Sequence, residues 1–195
     1  MGRVGLAFQF SSGLRMNDLR SFLRAETHDL HEELDGLIGA FTSLDDYTRF
    51  LAGSFRHRAP AEAAIGVEAD ALGLGPRQLV PQLRRDLADL GLPVPAAERL
   101  VLSKDIACLL GATYVLEGSA LGARVLVKSA AALGLGATHG ARYLSAQAGS
   151  ITSWRELLVR LDGLERARWS LAARGARQVF DHAIQAFSPL ELPAS

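Results

Sequence analysis

A chain of 195 residues, 49% hydrophobic and 22% charged, has the size and composition of one ordinary globular domain. Its 21 basic and 21 acidic side chains cancel, so no global field draws it to nucleic acid or to an anionic membrane. The lone cysteine, Cys108, excludes an internal disulfide, a multi-cysteine zinc site and a Cys-x-x-Cys-His attachment motif, and it fits a reducing compartment.

Residues 1–15 precede Met16 and a helix cap at Asn17, and read as a poorly ordered N-terminal extension to a domain over 16–190. The apolar run 4–10 is too short, and too polar at Gln9, for a secretory signal, so the expected location is the cytoplasm. A first helix is predicted from Asn17 or Asp18 to about residue 39, because Leu19, Phe22, Leu23, Leu30, Leu34, Leu37, Ile38 and Phe41 recur at helical period. A second begins at Ser43, with Asp45 and Asp46 in the first turn, where negative charge suits the helix dipole. Pro60 is expected to kink or divide it. A third covers about 76–90, closed by Gly91, Pro93 and Pro95. Ser103 then caps a long helix reaching about residue 133. Its stretch 106–127 is the most apolar in the chain, but Glu117 and Arg124 interrupt it, which argues against a membrane span. Shorter helices are predicted near 139–148 and 152–161, and a last one over 164–187. No segment alternates as a strand would, so the expected class is an all-α bundle of about seven helices in a single domain.

Two helices carry chemistry. His31 lies at the edge of the apolar arc of the first, with Thr27 and Leu34 one turn away and Asp35 at i+4. A neutral imidazole there can coordinate a metal through one nitrogen while the other donates to Asp35. The competing reading is a partly buried surface histidine, and His28 and His57 look exposed in that way. Arg24 stands two turns back on nearly the same line, about 10 Å away. On the long helix, the run 114–124 from Tyr114 to Arg124 holds Gly118 and Gly122. Each glycine costs about 1 kcal/mol relative to alanine inside a helix, so the pair requires a reason. Either a flat ligand lies against bare backbone, or two helices pack closely through Gly118, Gly122 and Ala123. No repeated Glu-x-x-His pair suggests a di-iron site, and no catalytic base is apparent for Cys108.

The run Leu23-Arg24-Ala25-Glu26-Thr27-His28-Asp29-Leu30-His31-Glu32-Glu33-Leu34-Asp35 resembles the proximal-helix motif of haem oxygenases. Residues 114–124 resemble that family's distal Gly-x-x-x-Gly-Gly motif, in the version found in bacterial enzymes that supply biliverdin to phytochromes. Asp45-Asp46-Tyr47, Pro60-Ala61-Glu62, Tyr143-Leu144, Trp154 and the run from Gly175 to Phe180 extend the likeness through most of the chain. The resemblance implies a haem oxygenase-like bundle with haem between the first helix and a kinked distal helix. It makes His31 the axial ligand to iron. Arg24, Thr27, Asp35, Tyr114, Ala123, Arg155 and Phe180 would line the haem, with Arg24 and Arg155 toward the propionates. Gly118, Ser119 and Gly122 would shape the distal side, Ser119 with ordered water.

Two departures stand out. Ala123 replaces the second glycine of the distal pair, and Ser119 occupies a position where many members have an acidic residue. The implied reaction is oxidative opening of haem, both substrate and cofactor, to biliverdin, carbon monoxide and ferrous iron. Electrons would come from a reductase, for instance through a ferredoxin, and a bacteriophytochrome would accept the biliverdin. The alternatives are a non-catalytic haem sensor or carrier, which Ala123 and Ser119 motivate, and a helical regulatory module without haem.

Overall fold

The computed structural model describes residues 18–71, 78–149 and 151–188, with the side chains of 67–71 and 151–153 outside that description. The expected extension 1–15 and the expected helix start at Pro76 lie outside the described residues. Among the described residues the fold is all-α; the only pairing of strand type is a set of isolated bridges joining Gly136 to His139 and Gly140.

The first expected helix is two. Asp18 caps α1 (Leu19–Glu26) by accepting from the Ser21 amide at 2.7 Å. Thr27, at φ −124° and ψ 9°, then interrupts the spiral before α2 (His28–Ile38), and Gly39 closes it at φ 62°. Helix α3 (Leu44–Ala71) opens on a reciprocal cap: the Asp46 amide donates to Ser43 Oγ at 3.1 Å, and the Ser43 amide donates to the Asp46 carboxylate at 2.9 Å. The Thr42 hydroxyl and amide, both donating to the Asp46 carboxylate, and after them Ser43 hold that carboxyl far below the usual range.

Pro60 does not divide the helix. The helix runs through it and gives way at Gly66, whose φ of 51° only glycine adopts freely. Proline removes one amide donor, but its neighbours hold the turn. Arg58 and Glu62, both almost fully buried, pair across one turn at 2.6 Å, and Glu62 also accepts from the Leu79 amide at 2.8 Å, fixing α3 to the start of α4 (Val80–Asp89).

Helix α5 (Ile106–Gly118) is capped by Asp105, which accepts from the Ala107 amide at 2.8 Å, rather than by Ser103, whose hydroxyl accepts from Asp105. The long helix predicted to residue 133 is interrupted at Ser119 and continues as α6 (Ala120–Ala132). Then follow α7 (Arg142–Ala148), α8 (Ile151–Asp162), a 3-10 turn at Arg166–Arg168 and α9 (Trp169–Phe187). By length and composition the stretch Ile106–Ala132 could cross a membrane, yet 67% of its apolar window is buried within the fold. It is a core helix.

Two hydrophobic cores result. One gathers Leu19, Leu23, Ile65, Leu116, Leu161 and Val179 from α1, α3, α5, α8 and α9. The other gathers Tyr47, Leu51, Leu83, Leu87, Ala130 and Leu144 from α3, α4, α6 and α7. Helix α9 crosses α5 backbone to backbone. A Cβ on Gly111 would lie 1.8 Å from the Ala172 carbonyl oxygen, and one on Gly175 would lie 2.0 Å from that of Cys108.

His57, expected to be exposed, is half-buried instead. Its Nδ1 faces that of His182 at 3.2 Å, and His182 Nε2 is 3.2 Å from the Glu98 carbonyl. With Nε2 donating to that carbonyl, His182 Nδ1 is left to accept a hydrogen bond from His57 Nδ1–H. Burial first, then the neighbouring imidazole and Arg58, push the His57 pKa down to about 3.

Gly111→Ala gains about 1 kcal/mol of helix propensity but forces overpacking that costs roughly 1–3 kcal/mol. With the obstacle a backbone carbonyl, we expect a net loss, read as a lower urea midpoint at unchanged slope. Because the His57 pKa is lowered in the folded state, the unfolded chain binds more protons below about pH 6.5. Stability should therefore fall as pH drops from 6.5 toward 3, and His57→Asn should flatten that decline in urea titrations at stepped pH.

Candidate functional site

The break at Thr27 starts α2 in a new direction, and α9 receives it. Thr27 is buried, and its hydroxyl donates to the Leu23 carbonyl at 2.8 Å. Arg177 of α9 donates to the Glu26 carbonyl and pairs with Asp29 at 3.3 Å, clamping the first turn of α2. Leu30 packs inward in the same core as Phe180.

His31 stands on this clamped turn with its side chain 61% exposed, and its ring centroid is 5.8 Å from that of buried Phe180. Its Nδ1 lies 3.2 Å from the Asp35 carboxylate. That bond is the main reason its pKa is raised; burial and the nearby charge of Arg24 oppose the rise. A donor hydrogen on Nδ1 leaves the lone pair on Nε2, the atom able to bind a metal. Among the described residues no group of three or more His, Cys, Asp or Glu could hold a metal ion, so a metal on His31 would have to bring its other ligands with it.

The second face is the bend between α5 and α6. Tyr114 and Gly118 both meet Trp154 of α8: the rings of Tyr114 and Trp154 are 5.5 Å apart, and a Cβ on Gly118 would lie 3.5 Å from the indole. Burial raises the Tyr114 pKa, and the charges of Arg20 and Arg24 reach it from α1. One turn past Gly118 the surroundings open, for a Cβ on Gly122 would find no atom within 4 Å. Ala123, where the resemblance expected glycine, is 2% exposed and directs its methyl into the second core.

Ser119 is exposed, yet its hydroxyl donates to the Leu116 carbonyl and accepts from Gln147 Nε2, both at 2.5 Å. Arg155 lies exposed on α8.

Helix α2 packs on α9, and its contact with α5 and α6 is slight. Helices α2 and α6 each leave a large apolar side chain uncovered, Leu37 at 38% exposure and Leu121 at 37%. A tautomer-fixed imidazole, uncovered leucines and a helix face without side chains suit a flat, largely apolar ligand that carries its own metal. The residues present therefore fit an iron porphyrin. An open groove between α1 and α9, lined by Phe22, Glu26, Arg174, Arg177 and Gln178, includes none of these features.

Behind the α5–α6 junction Arg58, Glu62, Tyr143 and Gln147 are all buried. Glu62 and Tyr143 entered the sequence reading only as parts of the family likeness, and Arg58 and Gln147 were missed, although the i,i+4 spacing of Arg58 and Glu62 was a signal.

No family model matches the chain. Haem oxygenase PigA of Pseudomonas aeruginosa is 36% identical over 178 residues, spanning 86% of this chain and 90% of that protein. A haem oxygenase of Xanthomonas campestris pv. campestris is 36% identical over 111 residues, 54% of this chain and 65% of that one. In three dimensions the chain matches the NO- and CO-bound haem oxygenase of Neisseria meningitidis at a TM-score of 0.69. That match has 26% identity and covers 88% of this chain and 90% of the other. The all-α architecture, the two helix faces and this similarity along nearly the whole length converge: the chain belongs to the haem oxygenase family.

Proposed function

We propose that the protein is an enzyme that degrades haem, opening the ring to biliverdin with release of carbon monoxide and ferrous iron. The observation that carries the reading is the His31–Asp35 pair, with Nε2 left free, in a chain 36% identical to PigA over 90% of that protein. Haem, as substrate, supplies the centre at which dioxygen is activated.

The chain's own residues bind and orient. His31 holds the iron through Nε2, and Asp35 fixes the tautomer and makes the ring a stronger donor. Phe180 packs behind the imidazole and limits its rotation. Arg24 and Arg155 meet the propionates as charge-assisted partners. Thr27 acts through the backbone, setting where α2 begins. On the distal side, Gly118 and Gly122 let the backbone approach the ring and leave room for a small diatomic molecule. Ser119 retains one lone pair for water after its bonds to Leu116 and Gln147. Tyr114 and Ala123 bound this side by packing.

Electrons come from an external reductase, for instance through a ferredoxin. A bacteriophytochrome is the proposed acceptor of biliverdin, and the cytoplasm the proposed compartment.

Reconstitution with haemin, followed by aerobic turnover with ferredoxin and its reductase, should bleach the Soret band and yield bile pigment. A Soret band that persists without pigment would instead mark a non-catalytic haem carrier. His31→Ala should lose the spectrum of axial imidazole ligation; an unchanged spectrum assigns the ligand elsewhere. In the haem-free protein, NMR titration of the His31 ring should give a pKa above the usual 6.5, the direction set by the Asp35 bond. Asp35→Asn should lower it, so that the imidazole is neutral over a wider range on the acid side.

A further inference from the structure

Behind the α5–α6 bend stands a buried polar post. Gln147, 5% exposed on α7, donates from Nε2 to Ser119 Oγ at 2.5 Å, and Ser119 passes its own hydrogen to the Leu116 carbonyl in the last turn of α5. The same amide engages the Tyr143 hydroxyl, which also bonds to buried Arg58. Arg58 is in turn neutralised by Glu62 at 2.6 Å and feels the charge of Glu117.

The base of the post is rigid. The Tyr143 amide donates to Asp86 at 2.8 Å, Arg142 pairs with Asp86 and Asp89, and Tyr47 donates to the Gly140 carbonyl at 2.6 Å. At the α5–α6 junction itself few other groups act, whereas farther along α6 is held by its packing on α7 and by Arg124, whose Nε donates to the Ala148 carbonyl at 3.4 Å. Gly118 and Gly122 contribute no side chains, and the backbone hydrogen bonds on either side, Ser119 to Val115 and Ala123 to Ser119, are 3.2 and 3.1 Å long. Ser119 keeps helical dihedrals, φ −59° and ψ −17°, so backbone strain does not impose the turn.

We infer that Gln147 is a positioning residue: its hydrogen bond to Ser119 fixes the α5–α6 junction and so the first turn of α6, which carries Gly122 toward the ligand. The part that concerns haem rests on the function proposed above; the tie itself does not. A merely space-filling role for Gln147 makes a different prediction, since methionine has nearly the same shape and cannot donate.

Two measurements on the full chain separate these. In the haem-free protein, Gln147→Met should speed hydrogen exchange at the amides of residues 119–123 about tenfold, with those of α9 unchanged, as a local loosening requires. In the haemin-loaded protein, the same variant should keep haemin affinity and the axial imidazole spectrum while pigment formation slows about tenfold, because a small misplacement is felt at the reacting centre and not in binding. Ser119→Ala should reproduce both effects, and the double variant should lose no more than either single one.

Unchanged exchange in Gln147→Met overturns the inference, and so does a loss of turnover that adds to that of Ser119→Ala. If Gln147→Met fails to fold, Ser119→Ala, which removes the hydroxyl that accepts from Gln147, decides the matter through hydrogen exchange, because its turnover also reflects the water assigned to Ser119. If the wild type binds haemin and forms no pigment, the proposed function fails while the exchange measurement still tests the tie.

Discussion

Helices α5 and α9 approach so closely that neither has room for a side chain where they cross. Glycine at 111 and at 175 brings each backbone against a carbonyl of the other, and Ala172, Ala173 and Ala176 fill the remaining space. Such a crossing is intolerant of added volume, which fixes the two helices relative to each other more firmly than a leucine-filled interface does. The rest of the fold is hung on this pair. The fixed α9 carries the partners of α2, namely Arg177, Phe180 and the core beneath Leu30. The fixed α5 carries the bend from which α6 departs.

The candidate site follows from that arrangement. One candidate wall is attached to α9 and the other grows out of α5, so their relative placement follows from two helices locked at a glycine crossing. Neither wall has to pack on the other to be stable, because α2 is clamped through Asp29 and Arg177 and α6 packs on α7. This is how a fold of ordinary composition keeps leucines uncovered on two helices without the surfaces collapsing together.

Much of the fold was legible in the sequence for local reasons. Apolar residues at helical period located most helices, and the Ser43 cap, the Gly39 stop and the Gly91 stop are interactions among neighbours in the chain. Errors arose where distant residues decide. Proline at 60 reads as a break until the buried Arg58–Glu62 pair and its link to Leu79 are known, and Gly66 is unremarkable until its positive φ interrupts α3. His57 reads as a surface residue because its partner, His182, lies 125 positions away. The same holds for the site. His31 and Asp35 are one turn apart and legible as a pair, whereas Gln147 meets Ser119 across 28 residues and has no signature of its own.

Gly122 has a distinct evolutionary consequence. Since a methyl group there would touch nothing, alanine would fit the backbone and would strengthen the helix by about 1 kcal/mol. Selection for thermal robustness alone would thus erase this glycine, while selection for the ligand contact proposed above would retain it. A library screened only for heat resistance would drift toward well-folded proteins carrying an added methyl at this position.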